Sequence, residues 1–342
     1  MPSAGGPSLP AKLLLVAAHA TFWHLALRKG AAPALRRWVE ARPWAGRFAD
    51  VARRAAARAF GARLSREEAL GEACVLASAA LEHAVGFVLI LPAVLLALSR
   101  GIPAPPWACA LAHHGALCEA GHGAADAAAR VWDAAWEPGG FRRNPPLLLR
   151  AVLCHHAAAI LAAPALGPSA CAPWHALACA LHGAAATALT LQAASYSLDL
   201  TDAGQVRALR RMAGANAAVA VLARVLVFVP CAALVVRRAA RAGPWQVGAV
   251  AAAALAMGLV NACIVADAVA KLLRAWEREA ACRAIPRGAV AQAPDAKGPR
   301  EAVKAEAPAS GRGRGQAPRT QRARRRSSSG ARCSRRRRSS AA

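Results

Sequence analysis

The residues able to do chemistry in this sequence are its histidines and the few carboxylates beside them. All ten histidines, His19, His24, His83, His113, His114, His122, His155, His156, His175 and His182, sit in apolar stretches, and none follows residue 182. His155 and His156 are adjacent. On a helix they diverge by about 100°, so one imidazole can face a cavity while the other supports it or reaches a neighbouring helix. A neutral imidazole titrating near neutrality suits a general base that activates an amine or hydroxyl. Glu119, His122 and Asp126 follow i, i+3, i+7 spacing and share one helix face. An earlier helix supplies Glu82-His83, and a later one supplies His182 and Gln192. Isolated histidines such as His19 and His175 fit an interhelical hydrogen bond better. A di-iron centre of the membrane oxidase kind needs His-x-x-x-His or His-x-x-His-His boxes, which aim two imidazoles at one ion. None occurs, so neither a metal nor any other cofactor is expected.

The elements that must position these groups are membrane helices. Of 342 residues, 56% are hydrophobic and only 18% charged, and the mean hydropathy is +0.29. Soluble domains carry about 25% charged residues. Ten cysteines without a single Cys-x-x-Cys pair exclude a zinc ribbon and a disulfide-stapled secreted domain. Crossing about 30 Å of hydrocarbon takes about 20 mostly apolar residues. Seven stretches qualify: 9–27, 74–98, 106–131, 147–166, 174–198, 212–236 and 245–272. The third is the most polar, because it holds His113, His114, Glu119, His122 and Asp126. The first is read as a retained span: one Lys precedes Leu13, and His19 and His24 interrupt a signal-peptide core. The expected fold is therefore all-α, a multi-pass transmembrane bundle of about seven spans with closely packed small-residue faces.

Charge sets the expected orientation. Residues 28–71 hold eleven Lys and Arg, whereas 99–105 hold one and 167–173 none. Seven spans put this basic loop and the C-terminal tail on one, cytoplasmic, face. Arg237, Arg238 and Arg241 oppose that assignment. The formal net charge is +26, much of it in residues 273–342, which are rich in Ala, Pro, Gly, Ser and Arg. They are expected to be disordered. Runs such as Arg335 to Arg338, with Ser339 and Ser340 beyond, predict a phosphorylation-sensitive tether to anionic lipid. Interleaved aromatics for base stacking are absent, so no specific nucleic acid is expected as a partner.

The motifs also carry a resemblance. Ala80-Leu81-Glu82-His83, Gly121-His122-Gly123-Ala124-Ala125-Asp126, Leu153-Cys154-His155-His156, Gln192-Ala193-Ala194-Ser195, then Asn216 and Arg224, stand in that order on successive spans. In this they resemble the TLC domain, the multispan fold of ceramide synthases and translocation-associated membrane proteins. The resemblance covers residues 74–272, a six-helix transmembrane domain preceded by a first helix and basic loop (1–73). Ala80 stands where the family has Ser, and Gln192 where its non-synthase members have Glu. Where ceramide synthases carry Leu-His-Asp-x-x-Asp, this chain reads Leu181-His182-Gly183-Ala184-Ala185-Ala186, and both carboxylates are missing. The homeodomain-like insert of some synthases is missing too. The resemblance thus implies the non-synthase branch, in the endoplasmic reticulum or another endomembrane. The expected function is to bind, sense or help regulate membrane lipids, with Glu82, His83, Glu119, His122, Asp126, His182 and Gln192 around a lipid cavity. The alternative is an acyltransferase-like enzyme of sphingolipid metabolism in which His155 or His156 is the base.

Overall fold

The computed structural model describes residues 9–100, 104–166, 172–241 and 244–284, and all regular structure among them is helical. Helix α1 (Leu9–Trp23) runs through a π-helical stretch (His24–Ala31) into α2 (Ala32–Glu40), followed by α3 (Ala45–Phe60) and α4 (Arg66–Arg100). Helix α5 (Pro106–Trp136) and the single turn α6 (Gly140–Arg143) lead to α7 (Pro146–Leu166) and α8 (Ala172–Tyr196). Helix α9 (Ala203–Val221) continues through a second π stretch (Leu222–Val227) into α10 (Phe228–Ala239), and α11 (Pro244–Ala284) ends the series.

Among the described residues, four helical segments are long and apolar enough to cross a membrane: Arg66–Ser99, Ala172–Tyr196, Ala203–Ala239 and Val247–Arg283. Such segments suggest an integral membrane protein. Their outer faces carry exposed Val88, Leu95, Leu226, Val229, Leu255 and Leu259, an apolar surface that water would disfavour. The stretches expected at 9–27, 106–131 and 147–166 are helical but do not belong to these four. Helix α1 stops at 15 residues before its π stretch, and the imidazoles and carboxylates of α5 lower its hydropathy.

Among the described residues, six helical segments close into a ring, α9 and α10 counting as one. Helix α4 packs on α5, α5 on α7, α7 on α11, α11 on α9 and α10, these on α8, and α8 back on α4. Helix α1 lies outside the ring against α5. Small residues make the close approaches possible: Ala93, Ala108, Ala112, Ala116 and Ala120 are buried along α4 and α5, and a Cβ on Gly115 would stand 2.8 Å from the Gly86 carbonyl oxygen. Such packing holds helices together where lipid removes the hydrophobic driving force between them.

Residues 28–71, expected as a loop, are mostly helical. Helix α3 buries Phe48, Ala49 and Ala52 and exposes Arg53, Arg54 and Arg58, so its pattern is amphipathic rather than irregular. The α4 helix also starts earlier than the expected residue 74, because Ser65 and Glu68 form a reciprocal capping box. The Glu68 amide donates to Ser65 Oγ at 3.1 Å, and the Ser65 amide donates to Glu68 Oε2 at 2.6 Å. At the other end, residues 273–284, expected in the disordered tail, continue α11. Ala275 and Glu279 are buried there, and Glu279 pairs with Arg210 of α9 and with Arg283. Residues 285–342 of the expected tail lie outside the described residues.

The turn joining α8 to α9 is held by two aspartates. Asp199 accepts from the Thr201 hydroxyl at 2.7 Å and the Thr201 amide at 3.0 Å, and pairs with Arg47 of α3 at 2.5 Å. Asp202 caps α9 by accepting from the Gly204 amide at 2.7 Å. The hydrogen bonds from Thr201 hold the Asp199 carboxyl below its ordinary range, and the Gly204 amide does the same for Asp202. A depressed folded-state value stabilises the turn above the unfolded carboxylate range, near 3.9, and that contribution is lost as pH falls through the folded values. We predict that amide-exchange protection of Thr201 and Gly204 falls on acidification over this window. In Asp199→Asn/Asp202→Asn the same amides should show no such pH dependence.

Candidate functional site

Four helices bring the titratable residues together. Helix α4 contributes Glu82 and His83, α5 contributes Glu119, His122 and Asp126, α7 contributes His155 and His156, and α8 contributes His182. Two glycines make room for the rings. A Cβ on Gly86 would stand 2.5–2.9 Å from three ring atoms of His182, and one on Gly123 would stand 2.6 Å from His156 Nδ1. Neither glycine is conspicuous in the sequence as a site residue, and only the helix crossings reveal what each accommodates.

His83 is the hub. Its Nδ1 lies 3.1 Å from Glu119 Oε2, 3.2 Å from Glu82 Oε2 and 3.3 Å from His182 Nδ1. The other oxygen of Glu119 faces α7, at 3.5 Å from His155 Nε2 and 3.7 Å from His156 Nδ1. His156 Nε2 in turn stands 3.5 Å from Asp126 Oδ2. The His122 ring fills the space between those of His83 and His156, with centroids 6.5 and 6.1 Å away. The helices thereby form a chain of acid and imidazole from Glu82 to Asp126.

The two ends of this chain differ. Asp126 accepts from Arg28 Nη2 and Arg130 Nε, each at 2.9 Å, and Arg130 also reaches Asn144 at 3.1 Å and Glu72 at 3.3 Å. Glu82 is wholly buried, and neither of its oxygens receives a hydrogen bond from any described residue. Arg28 and Arg130 were not among the site residues expected from sequence. The i, i+4 spacing of Asp126 and Arg130 is a signal for the second; no local signal joins Arg28 to Asp126 across 98 positions.

The ring encloses a cavity of about 920 Å³, counting its open mouth. His83, Glu119, His155, His182 and Arg224 supply its polar groups, and its walls include Trp174, Leu177, Leu181, Phe228, Val235 and Met257. Apolar walls with a few convergent polar groups are the usual make-up of a small-ligand pocket. Of the paired histidines, His155 lies on the cavity wall and His156 stands behind it against Asp126. Glu82, His122 and Asp126 also stand behind the wall.

Arg224 sits in the second π stretch, buried, with Nη1 donating to Asn261 Oδ1 at 2.5 Å. No local sequence pattern signals its place on the cavity wall. Gln192 is not brought to the cluster. It donates to the Tyr196 hydroxyl at 2.7 Å and accepts from Lys271 at 3.5 Å, one to two turns from the end of α8. No described residue of α8 offers His155 an acid; the carboxylate beside it is Glu119 of α5.

No family model, curated protein or solved structure matches this chain.

Two outcomes test the geometry. Asp126→Asn leaves two arginines without their common partner and should destabilise the detergent-solubilised chain by about 3 kcal/mol, read by denaturant titration. Gly123→Ala should displace the His156 ring, at a cost of about 1–3 kcal/mol. Combined with His156→Ala, its effect should fall well short of additive, as expected when one change relieves the clash that the other creates.

Proposed function

We propose that this chain is a multi-pass membrane protein of seven spans that binds, senses or helps regulate membrane lipids through the cavity of its six-helix ring, a TLC-like domain over residues 74–272. One observation carries this reading. A single cavity joins a long apolar wall to polar groups from His83, Glu119, His155, His182 and Arg224. That polarity gradient matches an amphiphile. An acyl chain would lie along Leu177, Leu181, Phe228 and Met257, and its polar end would meet the imidazoles, the carboxylate and the guanidinium. Helices α1, α5 and α7 complete the seven spans in this reading. Glu119 and Asp126 of α5 and His155 and His156 of α7 face the bundle interior, where ionisable groups in membranes belong. The basic tail would tether to an anionic, cytoplasmic lipid surface, in the endoplasmic reticulum or another endomembrane.

Cross-linking of the purified chain to a photoactivatable fatty acid tests the cavity. Leu181→Trp and Met257→Trp, which fill the apolar wall, should each reduce labelling about tenfold or more, equivalent to about 1.4 kcal/mol of binding. Leu255→Trp, on the exposed outer face, should leave it unchanged. Labelling that persists in both cavity variants would sink the proposal.

The wall position of His155 favours one second reading, acyl transfer. With its Nε2 held by Glu119, His155 would take the proton of an amine on Nδ1 as the amine nitrogen attacks a long-chain thioester carbonyl. The thiolate then leaves and is protonated. On this reading His155→Ala abolishes thiol release from long-chain acyl-CoA with an amine acceptor, at unchanged expression, while photolabelling persists.

A further inference from the structure

We infer that Glu82, His83, Glu119 and His182 hold a divalent transition-metal ion that cross-links α4, α5 and α8. The site goes beyond the lipid reading and does not depend on it, because it rests on the cluster alone.

The first argument is geometric. Each of the four residues offers one ligand atom, and these atoms all lie within 4.8 Å of one another. Zinc binds imidazole nitrogen and carboxylate oxygen at about 2.0–2.2 Å, so ligands at the corners of a tetrahedron stand about 3.3–3.5 Å apart. His83 Nδ1 lies 3.3 Å from His182 Nδ1, 3.1 Å from Glu119 Oε2 and 3.2 Å from Glu82 Oε2, while His182 Nδ1 lies 4.0 Å from Glu82 Oε1. Shifts of a few tenths of an ångström, within the reach of side-chain torsions, would turn these spacings into a coordination shell.

The second argument counts protons. Two carboxylates and His182 Nδ1 all converge on His83 Nδ1, and one ring N–H can satisfy only one of these acceptors. Both oxygens of Glu82 remain without a hydrogen bond from any described residue at zero exposure. Asp126 shows what this chain does when a buried carboxylate has cationic partners: two arginines reach it. No arginine or lysine pairs with Glu82 or Glu119 among the described residues. A divalent cation would supply the missing charge to two carboxylates and accept four lone pairs that otherwise oppose one another. Mixed imidazole and carboxylate donors favour zinc and its neighbours over magnesium or calcium.

The outer shell fits the same role. Gly86 leaves the gap that the His182 ring occupies. Glu119 would ligate through Oε2 while Oε1 faces His155, so the ion would also orient the carboxylate beside the cavity base. Four protein ligands make a closed, structural site. The histidine-box pattern misses it because the ligands come from three helices and only Glu82 and His83 are neighbours in sequence.

The test uses the full-length chain purified in detergent after loading with zinc, and separately with cobalt(II). Stoichiometric zinc by elemental analysis and the visible absorption bands of tetrahedral cobalt(II) are expected in the wild type. Glu82→Gln and His182→Gln should weaken zinc binding by at least about tenfold, an effect that even outer-shell partners of metal ligands produce. His113→Gln, a buried histidine outside the cluster, should retain the ion. Wild-type chain that takes up neither metal overturns the inference, whether or not the variants fold. So does zinc retained at unchanged affinity in both Glu82→Gln and His182→Gln. Photolabelling by a fatty acid reports separately on the cavity, so either proposal can fail alone.

Discussion

A carboxylate withdrawn from water must be met by positive charge or by hydrogen-bond donors, and the interior of this helix ring is arranged around that requirement. Glu82, Glu119 and Asp126 lie within the bundle, and each meets it differently. Asp126 has two arginines, one of them from the π stretch that follows α1. Glu119 divides its oxygens between the imidazoles of α4 and α7. Glu82 has imidazole neighbours and no donor among the described residues. Because these contacts join α4, α5, α7 and α8, with Arg28 drawing in the outer helix, the polar chain fixes how the helices are rotated about their axes. Apolar Ala-rich faces alone would leave that rotation poorly specified.

The cavity follows from the same arrangement. Helices that turn their polar residues inward cannot also close-pack their centres, and α10 and α11 complete the wall with Phe228, Val235 and Met257. The result is a few polar groups set in an apolar wall. Arg224 joins these groups through a π-helical widening of α9 to α10, which brings a buried guanidinium to Asn261 of α11. Local π geometry often accompanies functional positions, and here it places a cation opposite a cluster of acids and imidazoles.

Much of the architecture is legible in residue patterns. Long apolar runs around Val85, Val219 and Val250 mark membrane-competent helices because their length and hydropathy are local properties. The i, i+3, i+7 spacing of Glu119, His122 and Asp126 puts them on one face for the same reason. Other local signals lead to different boundaries. Ser65 and Glu68 begin α4 ahead of the apolar run, and the amphipathy of Phe48, Ala49, Ala52 and their neighbouring arginines makes a helix of a stretch whose charge suggests a loop. Beyond Leu272, the pairing of Glu279 with Arg210 helps carry α11 to Ala284, a contact across 69 positions that no local pattern contains.

The sequence by itself determined that the chain is helical, apolar enough for a membrane, and supplied with acids and imidazoles on particular helix faces, since periodicity and hydropathy act over one or a few turns. Only the tertiary structure decided which of these groups meet. It selected His155 rather than His156 for the cavity wall, left Gln192 with Tyr196 and Lys271, enlisted Arg28 and Arg224, and made Gly86 and Gly123 the seats of two imidazole rings. The physical reason is that contacts between helices depend on how each is rotated and how closely its neighbours approach, and those quantities are fixed jointly by small residues and buried charges far apart in the chain.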